Sequence, residues 1–392
     1  MKIDAHMKTI LYVHQSADLY GSDKVLLNIV SNLDRTRYEP IVIVPNHGEL
    51  VGALQAFNVE THVATVLKVE RRYLKSMRVF RLLFDASQAV KAIDIIVGNR
   101  KVALVHSNTL AVLGGAIWAW KRNIPHVWHV HEILLSPWLI RKGYPILVAR
   151  LADKVICNSK ATKSWLIQQA PALETRAVVI WNGIDPPDAS SLLPIEVVRA
   201  RLGIIQSDIV IGLIGRINSW KGHHLLLKAA ELLWREGYQD VRYLIVGSTA
   251  PGQHYWIDKL YEQIAHSPVG SKFTIAPYNN DIYAVWRAVD IAVVPSTAPE
   301  PFGIVAVEAM AIGKPVVAAA HGGLLDIVSD NVTGLLFEPN NPKSLAKALA
   351  TLISSRRDRE RMGKAGQSRQ VELFSMRRQM EGIMNCYYEM GA

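Results

Sequence analysis

The residues best suited to hold a charged ligand fall in two short stretches of the second half of this chain. One is Glu300-Pro301-Phe302-Gly303-Ile304-Val305-Ala306-Val307-Glu308, where a proline and a glycine lead into an apolar, helix-forming run, Ile304 to Ile312. The first N–H groups of a helix lack intrahelical partners, and the helix dipole favours an anion beside them. A glycine that admits a ligand therefore makes this helix start a seat for a diphosphate. Glu300 precedes the helix and Glu308 lies within it, about two turns beyond Glu300, so their carboxylates can accept hydrogen bonds from different hydroxyls of one ligand. For an arbitrary pair of glutamates the ordinary reading prevails: one caps the helix and the other is solvated surface.

The second stretch shifts that balance. Gly215-Arg216-Ile217-Asn218-Ser219-Trp220-Lys221-Gly222 directly follows the apolar run Ile209 to Ile214. Arg216 and Lys221 thus sit on a post-strand loop, where they can converge on a diphosphate and neutralise it as a leaving group. An isolated Arg and Lys would more often be solvated loop residues.

The first half offers weaker candidates. Leu19-Tyr20-Gly21-Ser22-Asp23-Lys24 opens a helix after the first strand, and its single Gly21 is explained equally well by a plain strand–helix turn. In His126-Val127-Trp128-His129-Val130-His131-Glu132 an extended chain puts His129 and His131 on one side, although a histidine at a strand end is more often structural. The chain has no Asp-x-Asp pair of the kind that holds a divalent cation under a diphosphate.

These residues need elements to position them. Apolar runs at Thr9–Val13, Ile41–Pro45, Val102–Ser107, His126–His131 and Lys154–Asn158 alternate with helical patterns such as Lys24–Leu33, Leu110–Trp120 and Lys160–Gln169. Strands apolar on both faces, each followed by a helix, predict a doubly wound parallel sheet. The breakers in Trp181-Asn182-Gly183-Ile184-Asp185-Pro186-Pro187 mark a hinge. A second alternation follows at Ile209–Ile214, Arg242–Val246, Phe273–Ala276, Ile291–Pro295 and Pro315–Ala319, and Phe374–Met390 reads as a final helix. Ligands of such sheets bind beyond the carboxyl ends of the strands, so the functional residues should lie on post-strand loops.

The length of 392 residues, half of them apolar, suits two cores at roughly 100 to 200 residues each. The six residues ahead of Met7 stand outside the fold argument. No charged-then-apolar leader is seen, and charges such as Glu308 and Lys314 interrupt the longest apolar tract. Two widely spaced cysteines, Cys157 and Cys386, indicate neither a disulfide framework nor zinc, and a cytoplasmic location is expected. A net charge of +10 would attract nucleic acid, anionic lipid or a diphosphate, but no basic stripe carries a nucleic-acid docking motif. Basic and apolar residues interleave over 68–84 and again over 137–144, which fits peripheral contact with an anionic inner-membrane surface as well as it fits a packed, solvated helix.

Taken together, the Gly-Arg-x4-Lys-Gly and Glu-x7-Glu elements, in this order, resemble the retaining glycosyltransferases of family 4, whose fold is GT-B. Ile180–Asp185, Gly322-Gly323 and Thr333–Phe337 add to the resemblance, which covers essentially the whole chain. It implies two Rossmann-like domains facing each other across a cleft: 1–185 binding the acceptor, 186–373 binding the donor, and 374–392 as a helix packing back on the first. It also implies transfer of a hexose-type sugar from a UDP- or GDP-linked donor, without a metal, to a glycan or polyprenyl-linked glycan acceptor. Arg216 and Lys221 would bind the diphosphate, Glu308 the ribose, and Glu300 the transferred sugar. The amides of Phe302, Gly303, Ile304 and Val305 would hold phosphate and sugar, and His131, followed by Glu132, would lie against the donor sugar. Tyr20-Gly21-Ser22 departs from the Gly-Gly usual in the family, which leaves donor contact by Gly21 the weakest of these assignments. Polysaccharide- and lipopolysaccharide-assembly members look similar to this variant. Other expectations to weigh are a glycoside hydrolase using Glu300 and Glu308, a sugar-nucleotide epimerase of the same fold, and a basic nucleic-acid-binding protein.

Overall fold

The structure is a computed structural model that describes residues 7–68, 79–135, 137–278 and 281–392. It divides into two compact units, Met1–Gly183 with Met376–Ala392, and Ile184–Ser375.

The N-terminal unit is built on β1 (Lys8–His14), β2 (Tyr38–Val44), β3 (Glu60–Val63), β4 (Val102–Asn108), β5 (His126–Val130), β6 (Lys154–Cys157) and β7 (Ala177–Val179). They form one seven-stranded sheet in the order β3-β2-β1-β4-β5-β6-β7. Every pairing is parallel. From Thr9 onward β1 is buried on both faces, which is why it reads as an unbroken apolar run rather than an alternation. The helix Gly21–Ser31 buries Val25, Leu26, Ile29 and Val30 on one side, at helical spacing. Ser159 caps the helix Lys160–Gln169, its hydroxyl accepting from the Thr162 amide at 3.0 Å. The C-terminal helix Met376–Glu389 belongs to this unit, and buries Ile383, Cys386 and Tyr387 in the core beside Ile10, Tyr12 and Tyr38.

The C-terminal unit repeats the plan with β8 (Ile209–Ile214), β9 (Val241–Val246), β10 (Phe273–Ala276), β11 (Ile291–Val294), β12 (Val316–Ala319) and β13 (Gly334–Phe337). Its six strands run in the order β10-β9-β8-β11-β12-β13, again all parallel. Both units are therefore doubly wound, Rossmann-like α/β sheets, as the strand–helix alternation predicts.

Some local expectations change. Strands β3 and β7 escape a search for apolar runs because each is a short edge strand, and β3 carries Glu60, Thr61 and His62. The helix predicted from Leu110 begins at Gly114. The Leu113 and Gly114 amides bond instead to the Leu67 and Val66 carbonyls, both at 3.1 Å, which holds the preceding residues in a loop.

Of the two candidate membrane stretches, 69–78 lies outside the described residues, and the helix after it is Val79–Val97. In the second, Trp138 is exposed, but Tyr144 is a core residue whose hydroxyl donates to the Leu110 carbonyl. Among the described residues no helix is long and apolar enough to cross a membrane.

Candidate active site

Where strand order reverses in a doubly wound sheet, the loops leaving two adjacent strands turn to opposite faces and open a crevice at the carboxyl edge. The strand orders put these points between β1 and β4 in one unit and between β8 and β11 in the other. Residues singled out from the sequence gather at both.

In the C-terminal unit the loop after β8 brings Lys221 against the loop after β11. Lys221 Nζ donates to Glu300 Oε1 at 2.6 Å, and Ser296 Oγ donates to the same oxygen at 2.5 Å. Glu300 is 4% exposed, so its carboxylate is almost wholly removed from water and depends on these two donors. Lys221 also lies 4.5 Å from the centroid of the Trp220 ring, a cation–π distance. Asn218 shapes the loop, its Oδ1 accepting from the Trp220 and Lys221 amides at 3.1 and 3.0 Å. The Thr297 amide ties the two loops together by donating to the Trp220 carbonyl at 2.7 Å.

Glycines allow this closeness. Gly222 has φ +79°, and a Cβ there would stand 1.8 Å from the Pro295 carbonyl oxygen. Gly303, φ +112°, is the residue ahead of the helix Ile304–Ala311, the predicted anion seat. Gly322 and Gly323 pack under the Glu300–Phe302 backbone: a Cβ on Gly322 would meet the Glu300 carbonyl oxygen at 2.4 Å, and the Gly323 amide donates to that oxygen at 2.7 Å. This pair supports the site from beneath. His321 joins it, with Nε2 donating to the Ser296 carbonyl at 2.8 Å. A carbonyl only accepts, so Nε2 carries the proton. Burial lowers the pKa of His321, which disfavours its charged form.

The remaining candidates of this unit fall around the same edge. Arg216 is exposed on the β8 loop, Phe302 is buried with its ring edge-on to Phe374 at 6.0 Å, and Ile304 and Val305 form the first turn of the helix. Glu308 is half-buried further along that helix and accepts from Trp286 Nε1 at 3.5 Å.

In the N-terminal unit His131 lies just beyond β5, half-buried, with Nε2 at 2.8 Å from Asn108 Oδ1 and its ring 4.0 Å from that of His129. Glu132 accepts from the Leu110 and His131 amides, both at 3.1 Å, and burial nonetheless raises its pKa. Burial, reinforced by the nearby histidines His129 and His14, holds His131 well below the usual imidazole range. It is therefore a neutral hydrogen-bonding group at ordinary pH. Gly21, φ +34°, is the first residue of the helix Gly21–Ser31, and a Cβ on it would meet nothing within 4 Å.

Four further residues complete the two crevices without having been singled out in the sequence: His14, Asn108, Ser296 and His321. A fifth, Asp23, belongs to the loop Leu19–Lys24 that opens the first helix. His14 Nε2 donates to Asp23 Oδ1 at 2.5 Å, and Ser16 Oγ reaches the same oxygen at 2.5 Å. Burial opposes ionisation of Asp23, but the bonds from His14, Ser16 and the Tyr20 amide outweigh it and leave its pKa lowered. The available signal was positional: His14 ends an apolar strand and Asp23 falls in the first turn of the next helix. Among the described residues no group of three or more His, Cys, Asp or Glu is placed to hold a metal ion.

Comparison with known proteins adds to this geometry. Residues 20–187 match the family model "Glycosyltransferase Family 4", and residues 194–369 match "Glycosyl transferases group 1". A D-inositol 3-phosphate glycosyltransferase of Nocardia farcinica is 32% identical over 244 residues, 60% of this chain and 52% of that protein. The chain thus spans about half the length of the first curated relatives it matches. An uncharacterized glycosyltransferase of Methanocaldococcus jannaschii is 28% identical over 85% of this chain and 91% of its own. The crystal structure of Anabaena HepE in complex with UDP and glucose superposes with a TM-score of 0.81 at 27% identity, over 97% of this chain and 99% of that one. With these neighbours, the two Rossmann-like sheets constitute an α/β fold of the GT-B type.

Proposed function

The chain is of the glycosyltransferase family 4 type, and we propose that it transfers a hexose-type sugar, with retention of configuration, from a UDP- or GDP-linked donor to a glycan or lipid-linked glycan in cell-surface polysaccharide assembly. The observation that carries this reading is the Lys221–Glu300 contact at 2.6 Å, set beside the glycine-led start of the helix Ile304–Ala311. A lysine, a carboxylate and a helix start at one sheet edge support a reading in which a diphosphate and sugar hydroxyls bind there.

Lys221, Arg216 and the first amides of that helix receive the diphosphate. As the bond from the anomeric carbon to the phosphate oxygen breaks, negative charge grows on the leaving diphosphate, and these fixed positive groups stabilise it without a metal. Glu300, kept in place by Ser296, accepts from hydroxyls of the transferred sugar, and Glu308 accepts from the ribose. A phosphate oxygen of the leaving group takes the proton of the acceptor hydroxyl. The new glycosidic bond then forms on the face the diphosphate leaves, which retains configuration. His131 accepts from a sugar hydroxyl. HepE, crystallised with UDP and with UDP-glucose, supports a uridine nucleotide as the first donor to try. Exposed Trp138, beside exposed Arg141 and Lys142, supports peripheral contact with an anionic membrane carrying the acceptor.

The test is a thermal-unfolding panel of UDP-, GDP- and ADP-hexoses without added metal. A true donor raises the midpoint by mass action, and Lys221→Ala loses most of that gain. No shift with any nucleotide sugar, or an undiminished shift in Lys221→Ala, would sink the reading.

A further inference from the structure

The N-terminal crevice contains a chain of buried side chains that the reaction above does not use. Its centre is Asn108, at the end of β4, fully buried and in register with His14 at the end of β1. The Asn108 amide nitrogen lies 3.1 Å from the Ser22 carbonyl oxygen. That oxygen can only accept, so the NH2 side of the amide must face it. Oδ1 is thereby turned toward His131 Nε2 at 2.8 Å, and since Oδ1 too can only accept, Nε2 must carry the ring proton. One backbone carbonyl thus decides the orientation of the amide, and the amide decides the tautomer of the histidine.

The rest of the chain holds Asn108 in place. Its second amide hydrogen points to His14 Nδ1 at 3.0 Å. His14 Nε2 bonds Asp23 Oδ1, and Asp23 Oδ2 accepts from the Tyr20 amide at 3.0 Å, so the support ends in the loop that carries Gly21. His14 Nδ1 is also 3.1 Å from the Asn108 carbonyl oxygen. The Ser22 contact fixes the amide independently of His14.

We propose that Asn108, braced by His14 and Asp23, is a positioning residue that locks His131 in its Nε2–H tautomer and so leaves Nδ1 as the acceptor for a ligand hydroxyl. The proposal deepens the role given to His131 above and rests on that role for its link to transfer. A site built this way requires a hydroxyl that donates, and it discriminates against a sugar whose hydroxyl at that position is removed or alkylated. The groups around the His131 ring are His129 from β5, His106 from β4, His14 from β1, Asp23 from the following helix, and the adjoining Glu132. The histidines and burial both oppose a second proton on His131.

The test is long-range 1H–15N spectroscopy of the full chain labelled in histidine nitrogen, with the His131 signals assigned by their loss in His131→Gln. The wild-type protein should show Nε2 protonated and Nδ1 bare. Asn108→Ala should convert this to a mixture of tautomers, and Asn108→Asp, which keeps the acceptor oxygen, should restore the Nε2–H form. A wild-type His131 in the Nδ1–H form overturns the proposal and needs no variant to be folded. So does an Asn108→Ala spectrum identical to wild type. In transfer assays Asn108→Ala should lower kcat on the order of 10- to 100-fold with little change in KM for the donor. A changed tautomer with unaltered transfer removes His131 from the reaction, which is a failure of the functional reading and not of the tautomer assignment.

Discussion

The two crevices solve the same problem with different materials. At the β8/β11 edge the backbone does the fitting: glycines let loops touch where a single methyl would not fit, and the side-chain chemistry is a charged pair, Lys221 and Glu300. At the β1/β4 edge the side chains do the fitting, through a buried series of imidazoles, an amide and Asp23. A charged pair and a helix start suit a polyanion, whereas a neutral imidazole acceptor suits a hydroxyl. The first crevice should therefore fail when atoms are added, and the second when protons or hydrogen bonds are changed.

The harshest way to break this contrast is Gly222→Ala. Left-handed backbone and a Cβ placed 1.8 Å from a carbonyl oxygen should together cost on the order of 3 kcal/mol. This would be read as a fall in the urea midpoint at constant m-value. Gly21→Ala, strained in φ but open in space, should cost about 1 kcal/mol. Equal losses in the two variants would contradict a backbone-fitted C-terminal crevice.

Next in size is the effect on turnover. Lys221→Ala should reduce transfer by about 100-fold or more, because a preorganised charge on the leaving group is lost. Glu300→Gln should weaken transfer much more than nucleotide affinity, which isothermal titration with the free nucleotide diphosphate would show.

Acid sharpens the contrast from the other side. His106, His126 and His129 are buried in the N-terminal unit with lowered pKa values, His126 at about 4, because burial opposes their charged forms. The unfolded chain binds protons at these sites below about pH 6.5, and the folded unit does not. Stability contributed by each neutral histidine is thus complete above that pH and falls as pH drops, by about 1.4 kcal/mol per pH unit per residue. Asp23, whose folded pKa is lowered, adds a further loss only at more acidic pH, below its unfolded value. His223, at about 3, is the comparable fully buried case in the other unit. Hydrogen exchange, corrected for intrinsic rates, should therefore show β1, β4 and β5 opening before β8 and β11 between pH 6.5 and 5. The reverse order would refute the argument.

The smallest effect expected is on stability in Arg216→Ala. This exposed residue should change the unfolding free energy by no more than about 0.5 kcal/mol while lowering affinity for the nucleotide diphosphate.

Much of the fold was legible because strands buried on both faces must be apolar throughout, and β1, β8 and β11 appear almost residue for residue as runs in the sequence. The edge strand β3 carries no such demand, and its polar residues hide it. Glu300, Lys221, Arg216 and Gly303 could be picked out because a helix start, a post-strand loop and a glycine are local features with a chemical meaning. Their geometry could not. That Lys221 bonds Glu300 rather than standing apart, and that Gly322 and Gly323 lie beneath the Glu300 loop, is decided by the strand order together with the close loop packing that the glycines permit.

What the sequence determined by itself, then, is the repertoire: two α/β sheets, a cationic loop, a glycine-led helix start and a histidine at a strand end. Which of these groups meet was decided by the tertiary structure. His14 and Asn108 are 94 residues apart in the chain and become neighbours only because β1 and β4 pair in parallel at the point where strand order reverses. Residue type and local spacing govern propensity and charge, but the tautomer of a histidine is set by whichever oxygen the fold places beside it.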